Sequence, residues 1–283
     1  MENGEAGKRM VENKILSKED YEEPVCLLKM GSGGEHIPVA RVFSRLDEYL
    51  NKKDYEAAER HLRYWLSEAD GCGDLKGELS VLNEQIGLYR KIGKQEECFK
   101  ASEAALILAD SLEMDNTETY GTTLINAATG YNAFGKTEKA VELYRKAKLV
   151  YENILKPDDS KLAGLYNNMA LAEMKNENYR NAEALFMKAV SIMEQQPHGE
   201  AETAITYLNL ADLASAEFGS EAAEDRIISC LEKAEKLLDT EDLPRDGYYA
   251  FVCEKCAPVF GYYGFFLTEK KLTERAEKIY ERA

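Results

Sequence analysis

Marks that recur at one fixed period constrain this chain more than any other feature. Asn126, Tyr131, Gly135, Ala140, Tyr144 and Ala147 form one set. Asn168, Asn178, Ala182, Phe186 and Ala189 repeat it one period later, the period being the step from Asn126 to Asn168. The same grid moved one period earlier meets Tyr89, Gly93, Cys98 and Ala105. A fixed period of this length means stacked supersecondary units, none of which can bury its apolar face alone. Such an array presents a long concave surface, which suits binding better than chemistry.

Within each period, apolar and small residues recur at i, i+3, i+4 and i+7, the spacing of an amphipathic helix. The helices come in pairs. In the third unit the spacing predicts helix A over Glu118–Phe134, a turn at Gly135–Thr137 and helix B over Glu138–Leu155. In the fourth it predicts Lys161–Lys175 and Tyr179–Gln195. Six units are traced through a helix B triplet of small, large and small residues. It reads Ala58–Leu62–Trp65, Cys98–Ser102–Ala105, Ala140–Tyr144–Ala147, Ala182–Phe186–Ala189, Ile227–Leu231–Ala234 and Ala276–Tyr280–Ala283. Small residues let two helices approach, and the larger one fills the space between them. The fifth unit carries extra residues around Phe218–Ala222.

The triplet and the Gly-Lys turn resemble the tetratricopeptide repeat family, in the longer variety used by kinesin light chains and bacterial peptide-sensing regulators. The resemblance runs from about Pro38 to Ala283. It implies an all-α, right-handed superhelical solenoid of six helix pairs, at 38–74, 75–116, 117–158, 159–200, 201–242 and 243–283. Residues 1–37 are read as a flexible, polar N-terminal segment with a short apolar stretch at Val25–Met30.

Bulk composition narrows the function. The chain has 283 residues, 52 acidic against 36 basic, and a net charge of -16. That balance argues against nucleic acid and anionic membranes as partners, since both attract basic surfaces. No run approaches a membrane span. The segment from Met1 to Asp20 carries no secretory signal. Six cysteines in a chain without such a signal are read as reduced thiols, and the expected location is the cytoplasm.

Asn126, Asn168 and Asn209 share one register of helix A in three successive units. Asparagine is a poor helix-interior residue, because its amide competes for backbone hydrogen bonds. The resemblance places this register on the concave groove, where a carboxamide both donates to and accepts from an extended peptide backbone. Asn83 and Asn167 lie one register earlier, and Thr129 and Asn132 follow Asn126 on the same side. Asp212 would add charge to the groove and Tyr262 an aromatic wall. The alternative role for these amides is to bridge neighbouring repeats. The two-basic-residue clamp of chaperone-tail binders in the family has no match here. Thr122, Asn126, Gly164 and Asn168 occupy its registers.

No motif assembles chemistry. Cys253-Glu-Lys-Cys256 has no second ligand pair, and its spacing fits two small residues on one packed helix face. Gly31–Gly34 lacks the Gly-Lys-Ser/Thr ending of a phosphate loop. No cofactor or metal is expected. The aromatic stretch from Tyr248 to Phe266 is expected to form mostly core, with Pro258 kinking or splitting its helix. The last unit stops at Ala283 without the polar cap of a terminal repeat, which leads to the expectation of a homodimer through this aromatic end. The resulting expectation is a non-enzymatic scaffold that binds a protein or peptide segment in its groove. The alternative is a peptide-sensing regulator that acts through a partner protein, without a DNA-binding domain of its own.

Overall fold

The computed structural model describes residues 36–282. The expectations for residues 1–35, Val25–Met30 and the Gly31–Gly34 break among them, lie outside these. Among the described residues the structure is all-α, with twelve helices and no strand. They are α1 (Val39–Asn51), α2 (Tyr55–Cys72), α3 (Leu75–Lys91), α4 (Gln95–Ser111), α5 (Glu118–Ala133), α6 (Thr137–Ile154), α7 (Ser160–Lys175), α8 (Tyr179–Met193), α9 (Glu200–Phe218), α10 (Glu224–Leu238), α11 (Gly247–Tyr262) and α12 (Phe266–Tyr280). The chain divides into two compact units, the first ending at Leu108 and the second opening at Ala109, within α4.

Turn chemistry makes the pairs. One residue in each short A-to-B turn lies at positive φ: Lys53, Gly93, Gly135, Glu177, Gly219 and Gly264. Gly135, at φ 74, shows why. The Lys136 amide reaches back to the Tyr131 carbonyl at 2.9 Å, a bond that closes a helix only through a left-handed residue. Glycine reaches that conformation without a Cβ clash. At Lys53 and Glu177 the same turn forms with a side chain present. Several helix starts are capped by short polar side chains, as where Thr117 accepts from the Tyr120 amide at 3.2 Å and Asp246 from the Tyr249 amide at 3.0 Å.

The first unit packs Ile37, Val42, Leu46, Ala58, Leu62, Trp65, Val81 and Leu88 into one core. His61 is fully buried in it, with Nε2 2.9 Å from the Val42 carbonyl oxygen, and burial pushes its pKa down. Asp74 ties the entry to α3. Its carboxylate accepts from the Gly77 amide at 3.0 Å and the Ile37 amide at 2.9 Å, with His36 Nδ1 also at 3.0 Å.

In the second unit each helix A packs on its own helix B, and α6 and α8 pack in turn on the next helix A. The A helices α5, α7, α9 and α11 also touch in succession. The contacts use the small-large-small triplets. Ala140, Tyr144 and Ala147 are buried, as are Ala182, Phe186 and Ala189, and Ile227, Leu231 and Ala234. Full burial of residues the size of Tyr144 and Phe186 contributes roughly 1.5–3 kcal/mol each in transfer free energy. Gly121 marks a close approach between helices. A Cβ there would stand 2.1 Å from the buried Tyr151 ring.

Three expectations are corrected. The aromatic stretch is not mostly core: Tyr249 and Phe260 are buried, while Tyr248, Phe251, Tyr262 and Phe266 are exposed. Pro258 lies inside α11 without splitting it. It points to solvent, while Cys253, Cys256, Ala257 and Phe260 on the other face are buried, so packing on both sides of the proline keeps the helix together. Tyr280 is 48% exposed, because among the described residues no further helix A covers it. The fifth unit's extra length is split between a 19-residue α9 and a longer turn, 219–223 against 134–136. At the end of α10, Arg245, Tyr249 and Arg275 all donate to the Leu238 carbonyl, at 2.8, 3.0 and 3.4 Å. These donors satisfy a helix C-terminus and fasten it to α11 and α12.

The packing at two glycines can be tested directly. Gly121→Ala should lower the urea-unfolding stability of the second unit by about 1–3 kcal/mol through overpacking. Gly164→Ala, where a Cβ meets nothing within 4 Å, should raise it by up to about 1 kcal/mol. Far-ultraviolet circular dichroism would follow both. In the first unit, burial pushes the Asp74 pKa up, but its bonds from Gly77, His36 and Ile37 outweigh that and hold it below the usual carboxylate range. Its contribution is therefore present above about pH 4 and drains as pH falls through the folded-state value. Asp74→Ala should cost about 1–2 kcal/mol at neutral pH, and the difference from the parent should shrink in acid. The fluorescence of Trp65, the single tryptophan, reports on this unit.

Candidate functional site: the helix A face of the second unit

The side chains of α5, α7 and α9 that are not committed to packing lie on one face. Asn126 is followed by buried Ala127 and Ala128, Asn168 by Met169 and Ala170, and Asn209 by Leu210 and Ala211. The burial pattern thus puts the three asparagines at equivalent places, and each is half-buried. In α11 the same pattern runs through Cys256, Ala257 and Phe260, which puts Lys255 at the equivalent position. Tyr248, Phe251, Lys255, Pro258 and Tyr262 follow one another at helical spacing along that face.

These side chains are not equally available. Asn209 Nδ2 donates to Asn167 Oδ1 at 3.0 Å, and Thr206 Oγ1 donates to the same oxygen at 3.4 Å. The α7–α9 pair is therefore bridged by amides. Thr129 Oγ1 lies 2.9 Å from the Tyr144 hydroxyl and donates to the Ile125 carbonyl at 2.8 Å. The sequence places Asn132 on the open face, yet it is buried, at 9% exposure. It stands at the edge of the face, turned into the packing. Its backbone oxygen accepts from Lys175 Nζ at 3.1 Å, and its Oδ1 has no hydrogen-bond partner. Asp212 accepts from the Tyr263 hydroxyl at 2.8 Å. Tyr262 is 75% exposed and meets Tyr263 edge-on, with ring centroids 4.9 Å apart. Asn83 belongs to the first unit, where its Nδ2 donates to the Leu79 carbonyl at 2.9 Å.

A cavity of about 320 Å³ opens on this face. Ala163, Gly164 and Asn167 of α7, Ala189 and Met193 of α8, and Glu202, Ile205 and Thr206 of α9 line it. Lys161 at its rim is engaged by Glu118 at 2.8 Å. Glu202 is half-buried, and its Oε2 is shielded from solvent without a hydrogen-bond donor. The Tyr248 phenol hydrogen-bonds the same carboxylate, and burial, that negative charge and the bond together push its pKa up. Further along α11, Tyr248 stacks on Phe251 with centroids 6.3 Å apart, and Lys255 Nζ stands 5.6 Å above the Phe251 ring.

Glu202 and the cavity escape the sequence reading, since Glu202 passes for an acidic first-turn residue of α9. The inter-repeat pairs carry a signal that could have found them. Lys161 with Glu118, Arg226 with Glu183, and Asn209 with Asn167 join residues about one period apart. Complementary polar residues in one repeat column predict such bridges. Cys253 and Cys256 are buried within α11, and burial pushes both thiols up, Cys256 to about 12. Thiols held in that state are poor nucleophiles. Among the described residues no group of three or more His, Cys, Asp or Glu is placed to hold a metal ion. Nor is any helix among them long and apolar enough to cross a membrane.

Burial raises the Asp212 pKa against the opposing bond from Tyr263. With the folded value above the unfolded one, stability falls as pH rises between the two. Asp212→Asn, neutral at every pH, should therefore raise the melting temperature at pH 7. The gain should fade as pH approaches the unfolded carboxylate value of about 3.9. Thermal unfolding at pH 7 and in acid checks the sign.

Residues 161–236 match the family model of the tetratricopeptide repeat. Among curated proteins nothing matches. Solved structures with the same fold include two forms of the nearly identical TPR-like repeats of a kinesin light chain from Podosopora anserina, one of them a point variant. The variant is 16% identical, covers 71% of this chain and 93% of its own, and has a TM-score of 0.51. BtubC (BKLC) of P. vanneervenii is 20% identical over 86% of this chain and 91% of its own, with a TM-score of 0.50. At these identities the likeness establishes the helical-repeat fold.

Proposed function

We propose that the second unit is a binding module that holds an extended protein or peptide segment along the helix A face of α5, α7, α9 and α11, with no covalent step. The observation that carries this reading is the recurrence of a half-buried asparagine at one register of three successive A helices. A packing role alone would be better served by the small or apolar residues that fill the neighbouring registers. A carboxamide that keeps part of its surface in solvent can bond an incoming backbone at little desolvation cost. The pairing of Asn209 with Asn167 is compatible with this role, because it orients both amides before a ligand arrives. The exposed rings of Tyr248, Phe251 and Tyr262 continue the same face and would contact side chains of the segment.

Selection from a random dodecapeptide library against the full chain tests the reading. Peptides should be enriched, and replacing Asn126, Asn168 and Asn209 together by Ala should weaken them about ten-fold or more. The triple variant should still fold. Loss of the Asn209–Asn167 bond costs about 1 kcal/mol, and alanine regains a few tenths at each helix-interior position. Unchanged affinity in a folded triple variant would remove these asparagines from the site.

A further inference from the structure

Resting on that reading, we infer that the cavity between α7, α8 and α9 is an anchor pocket for one Lys or Arg side chain of the bound segment. Its volume, about 320 Å³, lies at the lower end for ligand sites. That accommodates one long side chain with some adjoining backbone and is too small for a dinucleotide-sized cofactor. Its walls divide by chemistry. Ala163, Gly164, Met193 and Ile205 form an apolar lining that suits an aliphatic stem, while Glu202 supplies the acceptor for its head.

Charge selects the occupant. Lys161 at the rim is already engaged by Glu118 at 2.8 Å. The Tyr248 phenol hydrogen-bonds the Glu202 carboxylate, yet its Oε2 is shielded from water with no donor of its own. A carboxylate oxygen in that state gains more from an incoming cation than one that water already satisfies. Rotation about the terminal torsion of Glu202 is soft, so an arriving ammonium or guanidinium can be met without moving the helix. An anionic or purely apolar side chain would leave that oxygen unsatisfied. The net charge of -16 favours approach of a basic segment as well.

The backbone beside the anchor is also specified. Asn167 Oδ1 already accepts from Asn209 and Thr206. What remains for a ligand is the Nδ2 donor, which would take a main-chain carbonyl next to the basic residue. Gly164 keeps the entrance wide, since a Cβ at that position meets nothing within 4 Å. A larger residue there would therefore fill the pocket without disturbing its neighbours.

The dodecapeptide selection decides the matter. Enriched peptides should share a Lys or Arg at one position, and its replacement by norleucine in synthetic versions should weaken binding about ten-fold or more. Gly164→Leu, which blocks the pocket, and Glu202→Gln, which keeps its shape but not its charge, should each cause a similar loss. Norleucine and parent peptides should then bind Glu202→Gln alike. Peptides that respond to the triple asparagine variant but share no basic position would overturn the anchor and leave the groove standing. A shared basic position insensitive to both pocket variants would do the same. If no peptide is enriched, or none responds to the asparagines, the groove and its anchor fall together.

Discussion

Close approach between helices through small residues is the constraint on which the second unit depends. Ala140, Ala147, Ala182, Ala189 and Ala234 have almost no exposed surface. On α6 and α8 they allow a helix B to sit against two A helices, and on α10 against α9, while Tyr144, Phe186 and Leu231 fill the space so opened. A larger side chain at the alanine positions would push successive A helices apart. The register of the A-helix face follows from that spacing, because a row of side chains from different helices lines up only if each pair repeats the same offset.

The same constraint explains how much of the fold was legible. Periodicity and the triplet place the helices of the third and fourth repeats to within one or two residues, because burial of small residues acts on sequence directly. The edges of the faces were less legible. Asn132 differs from Thr129 by a modest rotation about α5, yet one is buried and the other half-buried. Such a difference depends on where the neighbouring helix stands. Pro258 shows the same limit in another form. Its local preference is to interrupt a helix, and packing by Cys253, Ala257 and Phe260 overrides it.

The candidate site was half legible. Three asparagines in register announce themselves, since nothing in helix propensity favours them. Their partners do not. Asn209 and Asn167 meet across two helices, and Asn178 serves its repeat by donating to Glu173 at 3.0 Å and not as a helix cap. Glu202 gives no sign in sequence that one of its oxygens lacks a donor. That property belongs to the crowding around it from α7, α9 and α11.

The Asn167 oxygen accepts two hydrogen bonds, and for the proposed binding of a segment this has a consequence for which sequences would be accepted. An amide with its acceptor committed addresses a main-chain carbonyl and has nothing to offer a main-chain N–H. Proline lacks the N–H but keeps the carbonyl. At this contact the face would therefore treat proline as it treats any other residue. A segment in polyproline conformation, which arrives with little conformational entropy left to lose, could lie along it as readily as a β-strand-like one.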